Sequence, residues 1–207
     1  MSRNEDTMDN NKPLTVYYPE DNYLMSDLIK FVKARTDGWL RYGLKFIPIS
    51  AGFEVDLGNK QFVRAFDMSH QKNKSTLGYV VYENRTRLKK QYLGQDIPSL
   101  LKSGLTRDDI NESYRANLFA YCLDAYNIID IDQILGCKDV IMDCTFVNEE
   151  DRDDPTHFTI DEALKVCKDA GIKNMYAAHL SGRYNYNDIA KNYSDIKFIN
   201  PYKVNDL

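Results

Sequence analysis

Apolar and polar positions follow two different rhythms along this chain. Between residues 13 and 82 the apolar positions fall in short runs. These are PLTVYY at 13–18, closed by Pro19, then 44–49, 53–57, 61–68, and LGYVVY at 77–82. Runs of this length and period predict strands, and the Gly58-Asn59 pair between two of them predicts a β-hairpin. One helical period interrupts them: Leu24, Leu28, Ile29 and Val32 share a face of a helix over 21–35. From residue 118 onward strands and helices alternate. Strands are expected at 118–123, 140–144, 175–178 and 196–199, and helices at 129–135, 160–170 (stopped by Gly171) and 187–193. A hairpin-like first part followed by βα alternation predicts layered α/β with mixed sheets. Residues 84–115 are polar, basic at first, and carry Gly94, Pro98 and Gly104, so they read as an inserted helical arm or linker. Residues 1–12 read as a disordered leader, and 13–207 as a single domain without internal repeats.

Composition narrows this picture. A chain of 207 residues with 43% hydrophobic content supplies one core. A formal charge of −4 argues against bulk nucleic-acid binding and leaves room for a local basic patch. Arg85, Arg87, Lys89 and Lys90 form such a run, which as a run is more often a solvated face than a nucleic-acid contact. No stretch of about 18 apolar residues occurs, so no membrane span is expected. The polar, acidic start lacks the apolar core of a secretory signal. The four cysteines, Cys122, Cys137, Cys144 and Cys167, show no CxxC spacing and lie in apolar runs. They read as buried free thiols in a reducing, cytoplasmic setting rather than as metal ligands or disulfides.

Candidate chemistry gathers near predicted strand ends. The apolar run MYAA (175–178) leads into His179, and His70 follows the strand ending at Met68. His157 sits in the loop DDPTHFT, Asp124 follows the strand 118–123, and Asp143 lies late in the strand 140–144. In layered α/β proteins such ends converge on one edge, where sites are assembled from distant segments. Imidazoles and carboxylates from several such ends form a donor set suited to zinc or manganese. Taken singly, each histidine is more often a hydrogen-bonded structural residue than a ligand, and Asp124 reads equally as a helix N-cap or turn residue. The acidic loop EEDRDD (149–154) reads as solvated surface. No Walker loop, GxGxxG, GxSxG or HExxH occurs.

Four segments, in order, resemble the metallo-β-lactamase-fold phosphodiesterases of the ribonuclease Z type. They are FDMSHQKNKSTLGYVVYE (66–83), RTRLKKQYLGQDIPSLLKSG (85–104), LFAYCLDAYN (118–127), and the closing block from DVIMDCTFVNEED through THFT to AAHLSGRY (139–184). The resemblance implies an αββα sandwich, N-terminally incomplete. It implies that His70 and His179 each bind one of two metals, zinc or manganese, with Asp124 bridging. It makes His157 a proton-transfer residue beside Asp143, places Ser181 and Arg183 near a phosphate, and sets Arg85, Arg87, Lys89 and Lys90 in the position of a nucleic-acid-contacting linker. The expected substrates are tRNA 3′ ends or, alternatively, cyclic nucleotides. Two divalent metals in such a site lower the pKa of a bound water and clamp the oxygens of a phosphodiester. The family's main metal motif, H-x-H-x-D-H, has no counterpart, because no histidine precedes His70. The family's Gly-Asp-Thr is here Leu123-Asp124-Ala125, and its glutamate is Asp143. Three accounts follow: a split enzyme completed by another chain, a homologue that keeps the fold for binding alone, or a protein with one weakly held metal. A homodimer or a complementing N-terminal chain is the expected partner.

Overall fold

The structure is a computed structural model that describes residues 13–36, 43–70, 76–152, 155–194 and 196–199. The expected leader, 1–12, lies outside the described residues. Strand β1 (Leu14–Pro19) pairs in parallel with β2 (Leu44–Ile49), and helix α1 (Met25–Thr36) connects them. Helix α1 buries no residue completely. Its half-buried positions are Met25, Ile29, Val32 and Thr36, at helical spacing, whereas Leu24 and Leu28, expected on the same face as Ile29 and Val32, are exposed.

The hairpin forms as the Gly58-Asn59 signal requires. Strands β3 (Glu54–Gly58) and β4 (Gln61–Ser69) pair antiparallel, and Gly58, Asn59 and Lys60 all take positive φ. Strand β4 then pairs with β5 (Thr76–Leu88), and β5 with β6 (Asn111–Cys122). Here the structure corrects the sequence expectation of a helical excursion over 84–115. Strands β5 and β6 run on as a two-stranded ribbon as far as the Leu88–Asn111 pair. Only its tip is helical, in a 3-10 turn at 90–92, α2 (Ile97–Lys102) and α3 (Arg107–Ile110). Polar alternation in NRTRL hid the strand, because neither face of a free ribbon has to be apolar.

The second half alternates as predicted. A short strand β7 (Asn127–Ile128) pairs with β4, and a 3-10 turn at 131–134 stands where a helix over 129–135 was expected. Strands β8 (Asp139–Asp143), β9 (Asn174–Ala178) and β10 (Lys197–Phe198) add in parallel to β6, with α4 (Ile160–Asp169) and α5 (Tyr186–Asn192) between them. The large sheet has the order β10-β9-β8-β6-β5-β4-β3. Two reversals separate β4 from β6, so β4, β6, β8 and β9 all point the same way. Their C-terminal ends share one edge, which is where an open α/β sheet builds its site.

Period-two patterning sends alternate side chains to two cores. Ala65 and Leu77 meet Ile49 of β2 between the sheets. Phe66, Met68, Val80, Ala120, Cys122, Val140 and Met142 face the other way, against Ile160, Ala163 and Cys167 of α4. All four cysteines are free and buried in this second core. Burial raises their pKa values, to about 12 for Cys137 and Cys167. Gly78 serves packing rather than turning: a Cβ there would drive into the Phe66 ring and sit 2.9 Å from the Met68 sulfur. Among the described residues, no helix is long and apolar enough to cross a membrane.

Candidate metal centre

Asp143 organises the shared edge. It ends β8, is completely buried, and accepts four hydrogen bonds. Oδ1 takes the Thr145 amide at 3.0 Å and the Thr145 hydroxyl at 2.8 Å. Oδ2 takes the Ala125 amide at 3.1 Å and His157 Nδ1 at 2.7 Å. Four donors fill the lone-pair sites of one carboxylate. A buried charge is tolerable only when so satisfied. Asp143 therefore ties the end of β6 to the end of β8 and holds His157 between them.

The other donors stand around this hub. Asp124 and His179 follow β6 and β9, and both adopt left-handed backbone, with φ of 52° and 66°. That conformation is uncommon outside glycine and clusters at functional sites. It turns the chain off the strand at once, so each side chain projects from the edge. His179 Nε2 lies 3.2 Å from Asp124 Oδ1, and the two side chains are 44% and 59% exposed, open to a ligand as Asp143 is not. His157 is packed between the other two histidines. Its ring centroid lies 4.9 Å from that of His179, nearly stacked, and 4.7 Å from that of His70.

Hydrogen bonding assigns the histidine tautomers. His70 Nδ1 donates to the Thr156 carbonyl at 2.8 Å, and His157 Nδ1 donates to Asp143. Thr145 has one hydroxyl proton, which goes to Asp143, so the hydroxyl accepts from His179 Nδ1 at 2.7 Å. In all three rings the Nδ1 proton is fixed and the Nε2 lone pair is left to bind something else, the arrangement that second-sphere bonds impose on metal-ligating histidines.

Asp124, Asp143, His157 and His179 offer ligand atoms within 4.8 Å of one another. Asp143 has no lone pair to spare, which leaves one carboxylate and two imidazoles facing inward, with His70 beside His157. These nitrogen and oxygen donors fit a divalent ion of the zinc or manganese kind. The structure thus brings Asp124 and His179 together as expected, sets His157 on Asp143, and places His70 next to His157 rather than within the closest group.

The remaining candidates serve the loops. Arg183 donates to the Asp151 carbonyl at 2.8 Å and lies 5.4 Å over the Phe146 ring, and the Ser181 amide donates to the Thr145 carbonyl. Both thereby hold the loop after β8. Tyr184 adds to this by donating to Asp151 Oδ2 at 2.6 Å. On the ribbon, Arg85 pairs with Glu83, Arg87 pairs with Glu112 at 2.8 Å, and Lys89 donates to the Asp109 carbonyl; Lys90 opens the 3-10 turn. The run is partly neutralised from within.

Two contributors escaped the sequence reading. Thr145, in the triplet Asp-Cys-Thr, sits two residues beyond the carboxylate it serves, a spacing typical of local side-chain bonding. Arg152 lies in the loop read as solvated surface, yet its side chain is only 9% exposed. It bonds Glu149, Glu162 and the His157 carbonyl. A lone arginine among five acids was the available signal. Helix α4 begins beside it with a capping box between Thr159 and Glu162, which fixes the exit of the His157 loop.

No protein-family model matches the chain. By sequence it is 27% identical over 192 residues to a chloroplastic tRNase Z of Arabidopsis thaliana, covering 87% of this chain and 52% of that protein. It is 22% identical over 185 residues to the ribonuclease Z of Streptomyces coelicolor, covering 83% and 60%. The chain thus spans about half the length of these curated relatives. By structure it is similar to the short form of human tRNase Z, with a TM-score of 0.57 and 12% identity, over 92% of this chain and 66% of that one. It is likewise similar to the metallo-β-lactamase fold protein YhfI of Bacillus subtilis, with a TM-score of 0.53 and 13% identity, over 91% and 62%. The chain has the metallo-β-lactamase fold, and its sequence relatives are ribonucleases Z.

Proposed function

We propose that this chain carries part of the active site of a metal-dependent phosphodiesterase of the ribonuclease Z type. The observation that carries the reading is the common tautomer of His70, His157 and His179, each engaged at Nδ1, with His179 Nε2 turned to Asp124.

Asp124 and His179 would hold the metal, with His70 on the far side of His157. A divalent ion there supplies a water of lowered pKa and neutralises charge on a phosphodiester. His157 is the residue suited to proton transfer. Asp143 fixes its Nδ1, so Nε2 is the atom that gains or gives a proton at the leaving oxygen. Thr145 fixes His179 in the tautomer that leaves Nε2 unprotonated. Arg152 holds the His157 carbonyl, which keeps the ring in place as substrate enters.

Among the described residues the donors gathered here are fewer than two metals require. We infer that a complementing polypeptide, or a second copy of this chain, completes the set. The names of the relatives favour a tRNA substrate, cut at its 3′ end as the sequence resemblance implies; cyclic nucleotides are the alternative phosphodiesters. The basic ribbon, although partly paired, is the surface we infer would contact RNA.

The test is incubation of the metal-loaded chain, alone and with candidate partner chains, with a precursor tRNA and with cyclic mononucleotides. Cleavage of either that is lost in His157→Ala supports the reading. Turnover of neither under any combination, with metal bound, overturns it.

A further inference from the structure

Helix α1 carries an apolar stripe that the protein leaves uncovered. Leu24, Leu28 and Phe31 are 58%, 49% and 62% exposed. Their spacing puts them in one line along the helix, and Arg35 continues that line. The half-buried side chains Met25, Ile29, Val32 and Thr36 turn to the body of the protein about a quarter turn away, so the stripe is a second face of the helix. Tyr23, also exposed, stands at its start. Large apolar side chains gathered in water mark an interaction surface. Charge is sorted along the same segment. The acids Glu20, Asp21 and Asp27 precede Leu28, the bases Lys30, Lys33 and Arg35 follow it, and all six are exposed. Asp27 and Lys30 pair with each other at 3.0 Å, which leaves Glu20 and Asp21 at one end and Lys33 and Arg35 at the other.

We propose that α1 docks antiparallel on α1 of a second copy of this chain. Parallel docking would set acid on acid and base on base, whereas antiparallel docking sets each acidic start against a basic end. A two-fold axis through Leu28 places Leu28 on its own counterpart and Leu24 against Phe31 of the second copy. The stripe is thus self-complementary, as an isologous interface requires. Arg35, in line with the stripe, then reaches the Glu20–Asp21 end of the second copy. Charges flanking such a contact choose its orientation, while the apolar side chains supply the affinity. The acidic start of the segment opposes an anionic membrane surface as the occupant. The partner that matches both halves is acidic at one end and basic at the other, as α1 itself is. A helix of 12 residues is about 18 Å long, the footprint of a small interface, so association in the micromolar range is expected. The contact uses no residue of the histidine centre and goes beyond the function proposed for it.

The test is sedimentation equilibrium of the full chain across the micromolar range, where a monomer–dimer equilibrium should appear. Leu28→Glu and Phe31→Glu should each weaken the dimer at least tenfold. Both positions are exposed, so the urea midpoint of the monomer should not fall. Arg35→Glu should also weaken the dimer, and adding Glu20→Lys to it should restore most of the loss, which happens only if the helices run antiparallel. His179→Ala should dimerise as the wild type does, which separates this proposal from the reading of the metal centre. A chain that stays monomeric throughout overturns the proposal. So does a dimer that both glutamate variants leave intact, or an Arg35→Glu variant that loses nothing or is not restored by Glu20→Lys. Cosedimentation of a monomeric chain with phosphatidylserine–phosphatidylcholine vesicles, abolished by Phe31→Glu, assigns the stripe to a membrane and equally overturns it.

Discussion

Replacing Thr145 by valine keeps the shape of a buried side chain and removes only its hydroxyl. That hydroxyl donates to the buried Asp143 carboxylate at 2.8 Å and accepts from His179 Nδ1 at 2.7 Å. A hydrogen bond to a charged group contributes about 1.5–3 kcal/mol and a neutral one about 0.5–1.5 kcal/mol. His179 is 44% exposed, so water replaces part of the second bond, while the Thr145 amide still serves Asp143. The expected loss is about 2–3 kcal/mol, or a fall in Tm of about 4–12 °C for a chain of this size. Urea unfolding of wild type, Thr145→Val and Thr145→Ser measures it, and serine should recover most of the loss. The local signature is sharper. In the wild type, ¹⁵N shifts should show His179 protonated at Nδ1 and bare at Nε2, and the valine variant should show mixed tautomers. Metal affinity should fall about 10–100-fold, as for other lost bonds to a ligating histidine. A valine variant of unchanged stability with an unchanged His179 tautomer would refute the hydroxyl's bridging role.

Other expectations rest on separate features. Gly78→Ala should destabilise the chain by about 1–3 kcal/mol by overpacking against Phe66 and Met68, and Phe66→Leu should relieve part of it in a double-mutant cycle; independent, additive losses would count against the contact. The folded pKa of Cys137 and Cys167 lies near 12, above the ordinary 9.0, so the unfolded chain loses these protons first as pH rises. Their contribution to stability is complete below about pH 9 and declines from there towards pH 12. Urea midpoints between pH 8 and 10.5 should show the decline, and serine at both positions should flatten it. His157→Ala should abolish phosphodiester cleavage while leaving more than half of the metal bound, whereas His179→Ala should release the metal; equal metal loss in both would make His157 a ligand instead.

Much of the fold was legible because period-two and helical patterns are local. The Gly58-Asn59 hairpin, the Leu24–Val32 helix and the βα alternation after residue 118 all formed near their predicted positions. The ribbon over 84–115 was not legible, since Arg85 finds its partner two residues back on the same strand, at Glu83, and Arg87 across strands, at Glu112, rather than from burial. The site was legible as a set of residues at strand ends. Its wiring was not, because the Thr145 and Arg152 bonds depend on how loops 124–126, 143–152 and 179–184 meet in space. No single segment of sequence carries that information.

X-ray absorption at the zinc edge, on protein loaded with one equivalent of zinc, tests the metal centre most directly. The structure predicts bound zinc with only nitrogen and oxygen neighbours at about 2.0–2.2 Å, and loss of that signal in His179→Ala. Zinc that fails to bind, or that shows sulfur at about 2.3 Å from the buried cysteines, would contradict it.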